Sequence, residues 1–355
     1  MGFVRVRFNN FKNIEPREMR WFPGLNLLTG GNGAGKTNIL EGISIISGWG
    51  TLGRGEKNSS IPTWESGSSE AQLTGEIDSE EIIKVKVAKR FFIKVDDKTV
   101  TASDLRWKIP LLSFLSDDMS IIEGSSASRR RLVDMLLALI VPSYAFRLSE
   151  YRRGVRQKAL FLKKGLPSMV VDRALLPLAA WLWRMREEGV GLLSQELEKL
   201  SELTPARIEL SLKRGGAGLC ADCEEDYSRS LFCYREREAA LKFPIVGPHR
   251  DDVAITADGR QASSALSRGL RRRTAIALML AASDGVKRKT GKSPVLLLDE
   301  VTAELDGEGR KILFDSLLSR DSQLFAATAE PFRLEIPCVV HKVEGGRIVE
   351  SRQNE

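Results

Sequence analysis

Apolar and polar side chains alternate at the amino end, where Val4, Val6 and Phe8 are separated by Arg5 and Arg7. Period-two alternation predicts a strand with one buried face. The pattern returns over residues 82–95, with Ile83, Val85 and Val87 set against Lys84 and Lys86 before a second apolar run through Ile93 and Val95. Leu25 to Thr29 reads as a short buried strand, and Val295-Leu296-Leu297-Leu298, introduced by Pro294, as a strand buried on both faces. From about residue 129 the period becomes helical. Tyr144, Leu148, Tyr151 and Val155 step by four, three and four, and Leu193, Leu197, Leu200 and Leu203 by four, three and three. The pattern predicts an inserted helical lobe over 116–240, between stretches 1–115 and 241–355 that together form one lobe. Residues 47–70, rich in Gly and Ser, read as a long loop over the candidate site described next.

Chemistry enters at residues 30–37, Gly30-Gly31-Asn32-Gly33-Ala34-Gly35-Lys36-Thr37. A glycine, four residues, then Gly-Lys-Thr is the phosphate-binding P-loop pattern. Its glycines let backbone amides surround phosphates, its lysine neutralises β/γ-phosphate charge, and its threonine hydroxyl is a ligand for Mg²⁺. A strand precedes the loop, and apolar residues at 39, 40, 43 and 46 predict a helix after it, which is the context the motif requires. The Val295–Leu298 strand runs into Asp299-Glu300, at the carboxyl end where a parallel sheet meets its ligand. Asp299 is placed to hold the Mg²⁺ shell, and Glu300 to orient or deprotonate the attacking water. Some 260 residues separate the two motifs.

The chain has 355 residues, 42% of them hydrophobic, enough for one large or two smaller domains. No apolar run is long enough to span a membrane, the start does not read as a signal peptide, and four cysteines do not make a disulfide framework, so a cytoplasmic protein is expected. Net charge is +7. The excess is concentrated: residues 129–164 hold ten Lys and Arg, among them Arg129, Arg130, Arg131, Arg152, Arg153 and Arg156, against Asp134 and Glu150 only. Such a segment is either a solvated helix face or a phosphate-contacting surface, and those six arginines are the candidate DNA contacts. Trp181 and Trp183 sit in an apolar stretch and read as core. Cys220, Cys223 and Cys233, with Asp222 or Asp226, could make a zinc set, but there is no second close cysteine pair and His249 and His341 are distant; ordinary reduced cysteines are expected.

Leu266-Ser267-Arg268-Gly269-Leu270, ahead of a helical run from Thr274 to Ala282, resembles the signature of ABC-type ATPases. In that family the signature serine and amides meet the γ-phosphate held by a second subunit, so the resemblance implies head-to-tail pairing of two chains. It also sets Glu304-Leu305-Asp306 at the D-loop and Thr328 near the switch position. Phe8 to Lys12, Asn38-Ile39-Leu40-Glu41, Ser116 to Met119 leading into Arg129–Asp134, the Tyr144/Tyr151 helix and Gly247-Pro248-His249-Arg250-Asp251-Asp252 together resemble the RecF family over nearly the whole chain.

That resemblance implies an α/β fold: a P-loop ABC-type ATPase head with a β-rich N-terminal part and an inserted α-helical lobe. It further implies ATP and Mg²⁺ as cofactors, with Ser267, Gly269 and Asp306 joining the P-loop residues at the nucleotide. The implied partners are duplex DNA and single-strand gap junctions, a second copy of the chain in an ATP-dependent homodimer, RecO- and RecR-type mediators, and RecA recombinase. The signature departs from the family's usual Ser-x-Gly-Gln-Gln-Arg: Ser267 and Gly269 remain, and Leu270 and Arg271 replace both glutamines. The leading reading is a slow DNA-dependent ATPase acting as a timed clamp. The alternatives are a non-hydrolysing ATP-gated DNA-binding module and the nucleotide-binding subunit of a transporter, the last disfavoured by the length of the insertion.

Overall fold

The computed structural model describes residues 2–52, 60–63, 69–329 and 337–354. Alternation does give strands at the amino end, with one departure. Phe3–Asn9 (β1) buries Val6 and Phe8, but Val4 is exposed and Phe3 is buried. The cause is a register shift between Phe3 and Arg5 against the neighbouring strand, which turns the first two residues over. Glu18–Arg20 (β2) and the fully buried Leu25–Thr29 (β3) follow, then helix Lys36–Ile46 (α1). Ala71–Ile77 (β4), Ile82–Val87 (β5), Phe91–Val95 (β6) and Lys98–Thr99 (β7) complete an antiparallel sheet in the order β2-β1-β4-β5-β6-β7. Ala102–Lys108 (α2) starts at a capping box between Thr101 and Asp104 and leads to Leu111–Phe114 (β8). Half of the loop predicted over 47–70, residues 53–59 and 64–68, lies outside the described residues.

The helical stretch opens with Ser120–Glu123 (α3), Ser126–Ile140 (α4), Tyr144–Lys163 (α5) and the 29-residue Met169–Leu197 (α6). Tyr144, Leu148 and Tyr151 are buried, as their spacing predicts. Trp183 is fully buried and meets Tyr227 edge-on at 5.6 Å, whereas Trp181 is half-buried with the Arg147 guanidinium over its ring. Ile208–Lys213 (β9), Cys223–Leu241 (α7), Asp252–Ala257 (β10), Arg260–Gln261 (β11), Ala262–Ala265 (α8) and Arg268–Thr290 (α9) follow. The strands form an antiparallel sheet in the order β11-β10-β9.

The chain then returns through Val295–Leu298 (β12), Gly307–Leu318 (α10), Leu324–Thr328 (β13), Cys338–Glu344 (β14) and Arg347–Asn354 (β15). These complete a second six-stranded sheet, β15-β14-β3-β13-β12-β8, parallel except at β15. Gln323 ties it to the amino end: its amide accepts from Phe3 N–H at 2.7 Å and donates to Phe3 O and Phe22 O.

Two compact units result, Met1–Asp118 with Val286–Glu355, and Met119–Gly285. Residues 241–285, which the sequence pattern assigns to the nucleotide lobe, cluster instead with the helical segment. Long-range pairing is the reason: β10 runs alongside β9 from Asp252↔Lys213 to Ala257↔Ile208, and Gly285 in α9 packs on Leu192 and Leu136.

Candidate functional site

The glycine loop bridges the buried end of β3 and the start of α1, as its context predicts. Gly35 caps α1 with φ 108°, a left-handed value that a side chain would strain. Gly31, Asn32, Gly33 and Thr37 face solvent, and Lys36 is buried with its ammonium donating to the carbonyls of Gly30 and Gly31 at 2.7 and 2.9 Å. Ala34 O accepts from Gly346 N–H at 2.8 Å, so the turn between β14 and β15 supports the loop from behind. Gly346 is obligatory there, since a Cβ on it would fall 1.7 Å from Asn13 O.

The second motif meets the first. Thr37 Oγ1 donates to Asp299 Oδ2 at 2.8 Å, across 262 residues of sequence. Asp299 follows β12, is 8% exposed, and receives Glu300 N–H on Oδ1 at 3.1 Å. Burial raises the Asp299 pKa, the bond from Thr37 opposes this, and the Glu300 charge adds to it. A desolvated carboxylate beside a hydroxyl offers oxygen ligands to a hard divalent cation, whose charge would oppose the upward shift of Asp299. Glu300 is exposed with φ 51° and accepts Ala303 N–H on its carbonyl. Strain of this kind in a non-glycine residue beside a carboxylate pair is a mark of functional sites. Beyond it, Thr302 and Thr328 share a hydroxyl–hydroxyl bond of 3.0 Å, and Asp306 caps α10 by accepting Gly309 N–H at 2.7 Å.

Sequence reasoning missed the cavity beside the loop. It encloses about 870 Å³ and is lined by Lys12, Asn13, Ile14, Asn38, Glu344 and Arg347, among others. Asn13 accepts from Asn38 at 2.7 Å and its amide reaches Gly33 O at 3.4 Å, so a residue lining the cavity touches the phosphate loop. The available signal was Asn38, immediately after the motif.

In the second unit Ser267 is exposed just ahead of α9, with Leu270 N–H 3.4 Å from its hydroxyl. Arg268 is exposed and Gly269 half-buried. Arg271, where the family carries glutamine, pairs with Glu123 at 2.6 Å.

The six candidate DNA contacts separate into two kinds. Arg129 grips Asp252 through two bonds of 2.7 and 3.0 Å, and Arg130 bonds Asp251 O and Ser126. Both guanidiniums are committed to holding α4 on β10. Arg131 is half-buried. Arg152, Arg153 and Arg156 lie exposed on α5, Arg152 with one bond to Asp134 at 3.3 Å and Arg153 4.0 Å from Glu150. Lys158, in the same basic run, is buried in an ion pair.

The Gly247–Asp252 run is an anchor of the second unit. Asp251 accepts from Trp183 Nε1, Gly215 N–H and Arg186, each at 2.7 Å, and Arg186 also forks onto Asp134. His249 Nε2 faces Pro244 O at 3.1 Å and must donate, so its Nδ1 accepts from Tyr151 OH at 2.8 Å. Cys220, Cys223 and Cys233 are free thiols, and no cluster of three or more metal-ligating side chains occurs among the described residues.

A family model described as the RecF/RecN/SMC N terminal domain matches residues 3–336. The chain belongs to the RecF family. It is 30% identical to the DNA replication and repair protein RecF of Desulforudis audaxviator, covering 93% of this chain and 94% of that one. With its namesake from Heliobacterium modesticaldum it shares 28% identity over the full length of both. Among solved structures, this RecF-family chain is similar to the recombination mediator protein RecF-ATPrS in the RecFOR pathway, with TM-score 0.87 and 24% identity over 98% and 97% of the two chains. An SMC head bound to the C-winged helix domain of ScpA gives TM-score 0.58 at 17% identity, over 99% and 98%. The α/β ATPase-head fold is thereby established. No helix among the described residues is long and apolar enough to cross a membrane.

Proposed function

We propose that this RecF-family chain is a cytoplasmic, ATP-dependent recombination mediator that dimerises on ATP at gapped or duplex DNA and helps load recombinase in repair and replication restart. The observation that carries the reading is the Thr37–Asp299 contact with the exposed Glu300 beside it. When bound, MgATP supplies the phosphoryl group that reacts and the charge that orders the loop. Lys36 would meet its phosphates, Thr37 and Asp299 would hold its metal, and Glu300 would position and deprotonate water. Ser267 and the first amides of α9 serve the nucleotide of a second chain, with Gly269 and Asp306 at the same composite site. Arg152, Arg153 and Arg156 offer the phosphate-facing charge. RecO- and RecR-type mediators are the protein partners, a reading supported by the RecFOR pathway named for a similar structure, and RecA follows from the family resemblance alone.

The test is sedimentation and ATP turnover, with and without gapped DNA, for the wild type, Glu300→Gln and Ser267→Arg. The clamp reading predicts that ATP dimerises the wild type and that DNA stimulates a slow turnover. Glu300→Gln keeps the dimer and loses about 100-fold or more in rate, the contribution of a general base. Ser267→Arg stays monomeric. A wild type that is monomeric with every nucleotide refutes the clamp. The second reading, a non-hydrolysing ATP-gated DNA-binding module, is favoured by Arg271 and its bond to Glu123 in place of the family's glutamine. ATP-driven dimers without turnover select it.

A further inference from the structure

The second unit carries an apolar groove that plays no part in the nucleotide chemistry. It encloses about 490 Å³ between the amino end of α6 and the middle of α7, closed at one end by the Gly165-Leu166-Pro167 turn. Its apolar residues are unusually open to solvent: Phe232 is 81% exposed, Val170, beside the groove, 78%, Met169 52% and Leu166 47%. Contiguous apolar surface of this kind marks an interaction site.

The charges of the groove decide what fits it. Its two carboxylates are already consumed. Asp172 and Glu238 both hold the buried Lys158 ammonium, at 2.9 and 2.5 Å; Asp172 also accepts from Ser168, and Glu238 from the Ile245 and Val246 amides. Arg173 and Arg235, on opposite walls, have no ion-pair partner among the described residues, and Lys163 and Lys164 stand exposed at the end of α5. The available charge at the rim is therefore positive. Both walls are helix side chains, offering no unpaired strand edge. An extended segment laid here would bury its own amides without partners, whereas a helix satisfies them internally. The α7 wall, residues 228–239, is about 16 Å long at 1.5 Å per residue, matching three helical turns.

We propose that this groove docks an amphipathic helix of a protein partner, one with an apolar stripe at i, i+3/i+4, i+7 spacing and acidic flanks. Phe232, Met169 and Leu166 take the stripe, and Arg173 and Arg235 take the acids.

The experiment selects a displayed library of 16-residue helix-forming sequences on the whole protein, with counter-selection on Phe232→Asp. The winning peptide is then measured by fluorescence anisotropy. Far-ultraviolet circular dichroism serves as the folding control, because the second unit holds the long helices α4 to α7. The expected winners are acidic, with the stated apolar spacing, and bind at least tenfold more weakly to Phe232→Asp and to Arg173→Glu/Arg235→Glu. The proposal is overturned by winners that are basic or lack the stripe, or by the absence of any Phe232-dependent winner. It is equally overturned if phosphatidylglycerol vesicles, gapped DNA or self-association account for all Phe232-dependent binding.

Discussion

The protein has two histidines, His249 in one unit and His341 in the other, and both are placed to make it acid-sensitive. Burial pushes His249 down to about 4 from 6.5, assisted by the charges of Arg250, Lys158 and Arg130, and its bond to Pro244 O opposes the shift only in part. Burial alone pushes His341 to about 4. A folded-state value below the unfolded one means that the unfolded chain binds more protons between the two, so stability falls as pH falls through that window. From pH 7 to pH 5 each ring removes about 2 kcal/mol, and by pH 4 about 3. Two measurements check this. Imidazole resonances in the native protein should titrate below pH 5, and urea unfolding should show the loss between pH 7 and 5. His249→Gln retains a donor for Pro244 O and removes the titration, so the loss for the second unit should shrink by about 2 kcal/mol. A folded His249 ring titrating near 6.5, or an unchanged loss in His249→Gln, refutes the assignment.

Arg186→Met leaves Asp251 buried without its cation and Asp134 with Arg152 alone, and should cost the second unit about 3–5 kcal/mol in urea unfolding at pH 7. Replacing Arg152, Arg153 and Arg156 with Gln should weaken duplex binding and lower the slope of log K against log salt by about 2–3, whereas Arg129→Gln should lower stability instead, because its charge holds Asp252. Gly346→Ala drives a Cβ into Asn13 O and should weaken mant-ATP binding about tenfold or more by displacing the loop that Gly346 N–H supports.

Short-range pattern revealed the strands, the P-loop and its strand–loop–helix setting, because each depends on neighbours within a few residues. It also paired Thr37 with Asp299, since both motifs point to one ligand. It could not foresee the register shift that exposes Val4, which is decided by the partner strand β4. Nor could it divide the arginines. Arg129 and Arg152 look alike in sequence, yet the partner of Arg129 lies 123 residues away and that of Arg152 only 18. The division at 285/286 was hidden for the same reason: β10 finds its neighbour in β9, and no local period records that pairing.

The position of β3 between β13 and β14 has a consequence for synthesis. Asn26 must wait for Leu324, 298 residues later, before its amide finds that carbonyl, and β14 arrives later still. The unit Met119–Gly285 is continuous, so every strand it needs has left the ribosome while β3 and β8 still lack theirs. A nascent or truncated chain ending before residue 324 therefore carries the arginine-bearing α5 without a completed phosphate loop, so that under the proposed function its basic charge is displayed before nucleotide can be held.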